Sequence, residues 1–209
     1  MKKTFVIIMI SMFFTGMSYS QNETMFVIHT DYGDMKGILY NKTPEHRDNF
    51  IKLINDGWFN GSTFHRVIED FMIQGGGKEG GSVDVGYKVP AEFYPDYFHK
   101  KGALAAARQG DNVNPAKASS GSQFYIVQGK KYTDAEIANL EKRMNVEWTP
   151  EQKTAYKTDG GTPFLDFSYT VFGEITEGLE VIDKIAAVQT GYGDKPVKDV
   201  TMTMEIIEK

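Results

Sequence analysis

The chain has 209 residues, 41% of them hydrophobic and 24% charged, with a formal net charge of −5. That composition suits one large globular domain or two small ones, and excludes a disordered tail, a fibre and a multi-span membrane protein. Cysteine is absent, which removes disulfides, thiolate metal sites and cysteine nucleophiles, and the acidic balance argues against nucleic acid as a partner.

The first twenty residues stand apart. Lys2 and Lys3 precede an apolar run from Phe5 to Phe14, and Ser18-Tyr19-Ser20 follows. A basic end, an apolar core and small residues at −3 and −1 make the order of a secretory leader. The run is shorter than the ~20 residues that cross a bilayer, which favours a removed signal over a retained anchor helix. The expectation is a signal peptide at 1–20 and a single domain at 21–209, periplasmic or secreted, with no membrane attachment once the leader is gone.

In the mature chain, 25–32 reads as a strand, with Phe26, Ile28 and Thr30 alternating against Val27, His29 and Asp31. Gly33-Asp34 marks a turn and 35–40 the return strand. Thr43-Pro44 opens a helix with Thr as N-cap and Pro at the first helical position. Phe50, Ile51 and Ile54 form its apolar stripe and Gly57 ends it. Short strand-like runs follow at 63–68, 71–74, 102–107, 123–127 and 169–174. A second helix is expected over 179–188, with Leu179, Ile182, Ile185 and Ala186 on one face, and a last strand over 197–207. Many short strands with two separated helices point to a mainly β fold, a closed barrel with helices at its ends.

Residues 130–162 break this rhythm. Thr133-Asp134-Ala135-Glu136 and Thr149-Pro150-Glu151-Gln152 both have capping-box form, so a pair of short helices is expected, with Ile137, Leu140 and Met144 as the stripe of the first. Acids and bases balance here, which reads as a neutral, solvated hairpin covering part of the domain.

Several motifs fail on context. Gly75-Gly76-Gly77-Lys78-Glu79-Gly80 fits G-x-G-x-x-G, but a nucleotide site needs a helix opening on those glycines, and Gly81-Ser82-Val83-Asp84-Val85-Gly86 is poor helix. His29, His46, His65 and His99 form no H-x-H or H-E-x-x-H pair, so no metal is expected. Ser119, Ser120 and Ser122 lack the G-x-S-x-G frame of a serine hydrolase.

One constellation is specific. Phe64-His65-Arg66-Val67-Ile68-Glu69-Asp70-Phe71-Met72-Ile73-Gln74-Gly75-Gly76 resembles the F-H-R-x-I-x-x-F-x-x-Q-G-G signature of the cyclophilins, the peptidyl-prolyl cis-trans isomerases. Gly121-Ser122-Gln123-Phe124-Tyr125-Ile126 is similar to the family's G-S-Q-F-F-I strand, and Leu165 to Gly173 to its L-D-x-x-x-x-V-F-G segment. Thr43-Pro44 with Asn49-Phe50 resembles its first helix and Gly102-Ala103-Leu104 its central strand. The blocks come in family order over nearly the whole mature chain. The resemblance implies a closed eight-stranded antiparallel barrel capped by two helices, here carrying a helical hairpin insertion.

It also implies a chemistry that the residues can perform. Rotation about a peptide bond costs ~18–20 kcal/mol. It needs no nucleophile, proton transfer or cofactor, only a pocket for the prolyl ring and a donor that favours the twisted amide. The twisted nitrogen regains a lone pair that the planar one lacks, so an arginine aimed at it binds the transition state selectively. By resemblance that donor is Arg66, with Gln74 orienting it. Phe71, Met72, Tyr125 and Leu165 form the pocket floor and Tyr169 its edge. Gln123 and the Arg108 backbone hold the substrate chain beside Ala107. The sequence departs from the common family pattern at Phe164, where many members have the tryptophan that contacts cyclosporin. It also has Arg108 for asparagine and Tyr125 for phenylalanine. The expected partners are proline-containing peptides and unfolded exported proteins, with no cofactor, and the expected state is a monomer. The alternative is a cyclophilin-like chaperone or binding module with little turnover.

Overall fold

The computed structural model describes residues 23–207, so the expected leader at 1–20 lies outside the described residues. The chain opens with an antiparallel pair, β1 (Thr24–Thr30) and β2 (Gly33–Leu39), and helix α1 (Pro44–Asn55). Next come β3 (Ser62–Thr63), β4 (Arg66–Ile68), β5 (Met72–Gly75), β6 (Lys88–Val89), β7 (Ala103–Ala106), β8 (Ser119–Ser120) and β9 (Phe124–Val127). The insertion supplies α2 (Asp134–Met144) and α3 (Pro150–Thr158). A 3₁₀ turn at Pro163–Leu165 leads into β10 (Val171–Glu177), α4 (Leu179–Ala186), a second 3₁₀ turn at Tyr192–Asp194 and β11 (Thr201–Ile207).

Among the described residues the main sheet has nine strands, in the order β3-β11-β1-β2-β10-β7-β9-β5-β4, and β6 and β8 form a separate ribbon. This corrects the expected eight-stranded closed barrel. The strand expected over 63–68 is two strands, β3 and β4, at opposite edges of the sheet, joined through Phe64 and His65. Three residue steps reach at most ~11 Å. Nine strands laid flat would hold their edges ~38 Å apart at the usual spacing. The sheet must therefore curl until its edges nearly meet, and the chain itself bridges the gap. Phe64 N–H donates to Val200 O (2.9 Å), carrying the β3–β11 ladder one step further before the chain crosses to β4.

The concave face holds the main core, where α1 packs on β10 and β11, and α4 on β2, β4 and β5. Phe50 of α1 meets Phe26, Phe124 and Phe172 edge-on at 5.3–5.6 Å, the favoured aromatic geometry. The convex face carries a second cluster of Tyr40, Met72, Ala105, Tyr125, Val127 and Val171. Strands covered on both faces explain why 103–106 and 124–127 are buried at every position and read as unbroken apolar runs.

Local details shift. Thr43 precedes α1 but does not cap it: its hydroxyl donates to Tyr40 O, and the Glu92 carboxylate accepts from the backbone N–H groups of Glu45 and His46. The strand expected from 197 starts at Thr201, and the helix expected to 188 ends at Ala186.

Both expected capping boxes form in the insertion, with Thr133 and Glu136 on α2 and Thr149 and Gln152 on α3. The hairpin is not a solvated flap, however. Ile137 and Leu140 join Tyr132, Trp148 and Tyr156 in a third buried cluster, with Met144 and Phe98 packed against it. Its base is stapled to the barrel: Gly161 bridges Lys130 and Lys100, Thr162 N–H donates to His99 O, and Lys101 N–H to Gly160 O.

Candidate active site

Sheet register assembles the site. Arg66 stands opposite Gln74, Gln74 opposite Tyr125, Tyr125 opposite Ala105 and Ala105 opposite Val171. Residues facing one another in antiparallel strands share a face, so this row crosses five strands on the convex side. Their neighbours Val67, Ile73, Leu104 and Ile126 turn into the main core.

At one end of the row is a pocket of about 110 Å³. Met72 and Tyr125 form its floor, and Phe71, Leu165 and Tyr169 wall it. Arg66, Gln74, Ala107 and Arg108 complete the lining. Of the residues named from the sequence, only Gln123 and Phe164 lie outside it. Gln123 sits in an adjoining depression of about 400 Å³ that shares Gln74, Ala107 and Arg108 with the pocket. Phe164 stands on the far rim, 5.7 Å from the Phe71 ring, facing a groove that Lys130 and Arg143 of the insertion also line.

The polar partners differ from those expected. Gln74 Nε2 donates to Gln123 Oε1 (3.2 Å), and Gln123 Nε2 donates to Gly81 O. Arg66 Nε instead pairs with Asp194 Oδ2 at 3.3 Å. The recorded orienting contact of the arginine therefore comes from the turn after α4. Sequence reasoning missed Asp194, and no local signal marks it, because it lies 128 residues away. The Arg108 guanidinium is committed to Ser168 O, Gln109 O and Asp111, and lies 4.4 Å from the Tyr169 ring centre. It braces the pocket edge and leaves its backbone to face the depression. Burial pushes the Tyr125 phenol well above its ordinary pKa. Its hydroxyl contacts His99 Nε2 at 2.9 Å, a partner the sequence reading weighed only as a metal ligand.

A family model described as cyclophilin type peptidyl-prolyl cis-trans isomerase/CLD matches residues 25–205. The chain belongs to the cyclophilin family. Relatives named for peptidyl-prolyl cis-trans isomerase include a protein of Staphylococcus saprophyticus, 37% identical over 90% of this chain and 93% of its own length. One from Staphylococcus haemolyticus is 38% identical over 87% and 89%. The fold matches a Cryptosporidium parvum cyclophilin type isomerase with a TM-score of 0.68 at 24% identity, covering 90% of this chain and 99% of that one. The same Cryptosporidium protein in the presence of the dipeptide Ala-Pro matches with a TM-score of 0.65.

Two other constellations in this cyclophilin resemble catalytic sites and are closed. Ser119 Oγ, the His46 ring and Glu92 lie in hydrogen-bonded sequence at 2.9 and 2.7 Å, the order of a nucleophile, a base and its orienting acid. Ser119 is 1% exposed, so no substrate carbonyl reaches it, and the trio ties α1 to β8 instead. The glycine run after β5 opens no helix. A Cβ on Gly76 would overlap Ser122 O and one on Gly81 the His65 ring, so close packing accounts for both glycines. Among the described residues, no group of three or more His, Asp or Glu is placed to hold a metal ion.

Proposed function

We propose that this cyclophilin turns over Xaa-Pro bonds by seating the prolyl ring on Met72 and Tyr125 between Phe71, Leu165 and Tyr169, with Arg66 donating to the amide nitrogen as it twists. The observation that carries this reading is the cross-strand row that places a guanidinium beside a small cavity floored by Met72 and Tyr125. The planar amide nitrogen offers no lone pair and the twisted one does, so the bond forms mainly in the transition state and raises turnover rather than affinity. A charge-assisted hydrogen bond contributes ~1.5–3 kcal/mol, and the preorganised pocket adds the rest. Gln123 and the backbone at Ala107 and Arg108 hold the chain before proline, and Gln74 keeps Gln123 in place. The Ala-Pro dipeptide present with the Cryptosporidium relative agrees with a proline-bearing ligand.

The test is a protease-coupled isomerisation assay on a short Xaa-Pro peptide, with peptide binding measured alongside. Arg66→Ala is expected to lower kcat/KM by roughly ten- to a hundredfold while Kd changes little. Arg66→Lys is expected to stay poor, because a point ammonium cannot pair with Asp194 and reach the substrate together. Equal losses in rate and binding would make Arg66 a plain binding residue, and binding by the unaltered protein without turnover would make the domain a binding module.

The leader order at 1–20 supports export, with unfolded or partly folded proteins outside the cytoplasm as clients. Mass measurement on protein from an exporting host is expected to give a start at or near Gln21, and an uncleaved mass in the membrane fraction would overturn this.

A further inference from the structure

We infer that the helical insertion positions the floor of the prolyl pocket through a buried hydrogen-bond line that runs from Trp148 and Tyr156 to Asp166, from Asp166 to His99, and from His99 to Tyr125. The inference takes its activity readout from the isomerase reading above; its geometry stands apart from it.

Asp166 is 3% exposed and has four donors around it. Its Oδ2 accepts from Trp148 Nε1–H (2.8 Å) and from the Tyr156 hydroxyl (2.5 Å). Its Oδ1 accepts from the His99 backbone N–H (2.9 Å) and from the His99 ring at Nδ1 (2.8 Å). A carboxylate offers about four lone-pair sites, and here each has a partner. With a single ring proton placed at Nδ1 toward Asp166, His99 Nε2 is left to accept from the Tyr125 hydroxyl at 2.9 Å. His99 is fully buried and Tyr125 nearly so, and their rings lie within 13° of parallel. Donation thus converges on Asp166, from Trp148 and Tyr156 on the insertion side and from Tyr125 through His99 on the pocket side.

Two consequences follow from this arrangement. The Tyr125 ring, which floors the pocket, is held at its far end as well as by Tyr169, packed edge-on at 5.9 Å. Leu165, which walls the same pocket, is the chain neighbour of Asp166, so the group that receives both insertion donors also fixes that wall. Trp148, Tyr156, Asp166 and His99 touch no substrate in this reading and act as positioning residues through Tyr125. A phenylalanine at 125 would fill the same space and leave the line without its last member.

The test is a double-mutant cycle on the full protein. Tyr156→Phe removes one donor and keeps the ring, and Trp148→Phe is a second, larger cut. kcat and KM are measured on an Xaa-Pro peptide for each, in the native and in the Tyr125→Phe background. Tyr156→Phe is expected to lower kcat/KM about threefold or more in the native background and by less than about twofold where Tyr125 is already Phe. Equal losses in both backgrounds would overturn the inference, because a merely structural role does not depend on the Tyr125 hydroxyl. A second readout needs no turnover. In ¹⁵N-histidine-labelled protein, with His99 identified through His99→Gln, Nε2 is expected to resonate as an unprotonated acceptor and to shift in both Tyr125→Phe and Tyr156→Phe. A His99 ring that ignores Tyr156→Phe would overturn the line even in an active enzyme. A protein with coupled His99 shifts but no turnover would overturn the isomerase reading alone.

Discussion

Arg66 is 41% exposed at the side chain and Asp194 47%, so their ion pair is well screened by water. Such pairs contribute ~0.2–1 kcal/mol. Its value here lies in aim, since a long side chain otherwise samples many rotamers. Asp194→Ala is expected to lower kcat/KM by up to about fivefold at low ionic strength, and by less near about 1 M salt, where screening has already loosened the pair. Unchanged kcat/KM at low salt would leave Arg66 aimed by packing alone. Phe164 raises a separate question of residue chemistry. It is 41% exposed on the rim and offers an apolar face but no donor. By family resemblance, cyclosporin packs against an indole N–H there, and one hydrogen bond is worth ~0.5–1.5 kcal/mol. Phe164→Trp is therefore expected to tighten cyclosporin binding by roughly two- to tenfold with little change in turnover, as measured by inhibitor titration. Tight binding by the native protein with no gain in the variant would mean that the rim lies elsewhere.

Among the elements, α1 shows how a helix end is served from a distance. Its expected cap, Thr43, points back to Tyr40 O, and Glu92 takes the first-turn N–H groups and the His46 ring. Burial pushes the Glu92 carboxyl up, but its hydrogen bonds from His46 and the helix backbone outweigh this and leave it below the usual 4.5. The native state thus favours ionised Glu92 more than the unfolded chain does. That stability is fully present above the unfolded value and is lost as the pH falls through the lower folded one. Thermal unfolding followed from about pH 6 to about pH 3 is expected to show a steeper loss of Tm in the native protein than in Glu92→Gln, which carries no titrating group. Parallel profiles would mean that Glu92 does not titrate with folding. In the insertion, Thr133→Ala removes the hydroxyl that accepts from Glu136 N–H. It is expected to cost about 1 kcal/mol in urea unfolding.

At the scale of the whole molecule, the insertion and the barrel meet at a crossing too tight for side chains. A Cβ on Gly129 would come within 2.5 Å of Gly161, and one on Gly161 would collide with His99 O. Gly161→Ala is expected to destabilise by ~2 kcal/mol or more and to lower activity as well, since the same backbone carries His99 to Tyr125. A neutral effect in urea titration would show that the two layers can separate freely.

What the sequence determined by itself was local or carried by ordered motifs. Alternation located β1, proline and glycine punctuated α1, and the two S/T-x-x-E/Q boxes located α2 and α3. The Phe64–Gly76 block held Arg66, Phe71, Met72 and Gln74 at spacings that the β4–β5 hairpin turns into one face of a sheet. All of these follow from periods of two or 3.6 residues and from side chains reaching their own backbone. Only the tertiary structure decided that the strand expected over 63–68 splits to serve both edges of a curled nine-stranded sheet. It likewise decided that Asp194, not Gln74, pairs with Arg66, that Glu92 caps α1, and that the apparent flap reaches Tyr125 through Asp166 and His99. The physical reason is common to all four. A hydrogen-bonding group takes the partner that closure of the sheet brings to it, and closure brings together residues that no local period relates.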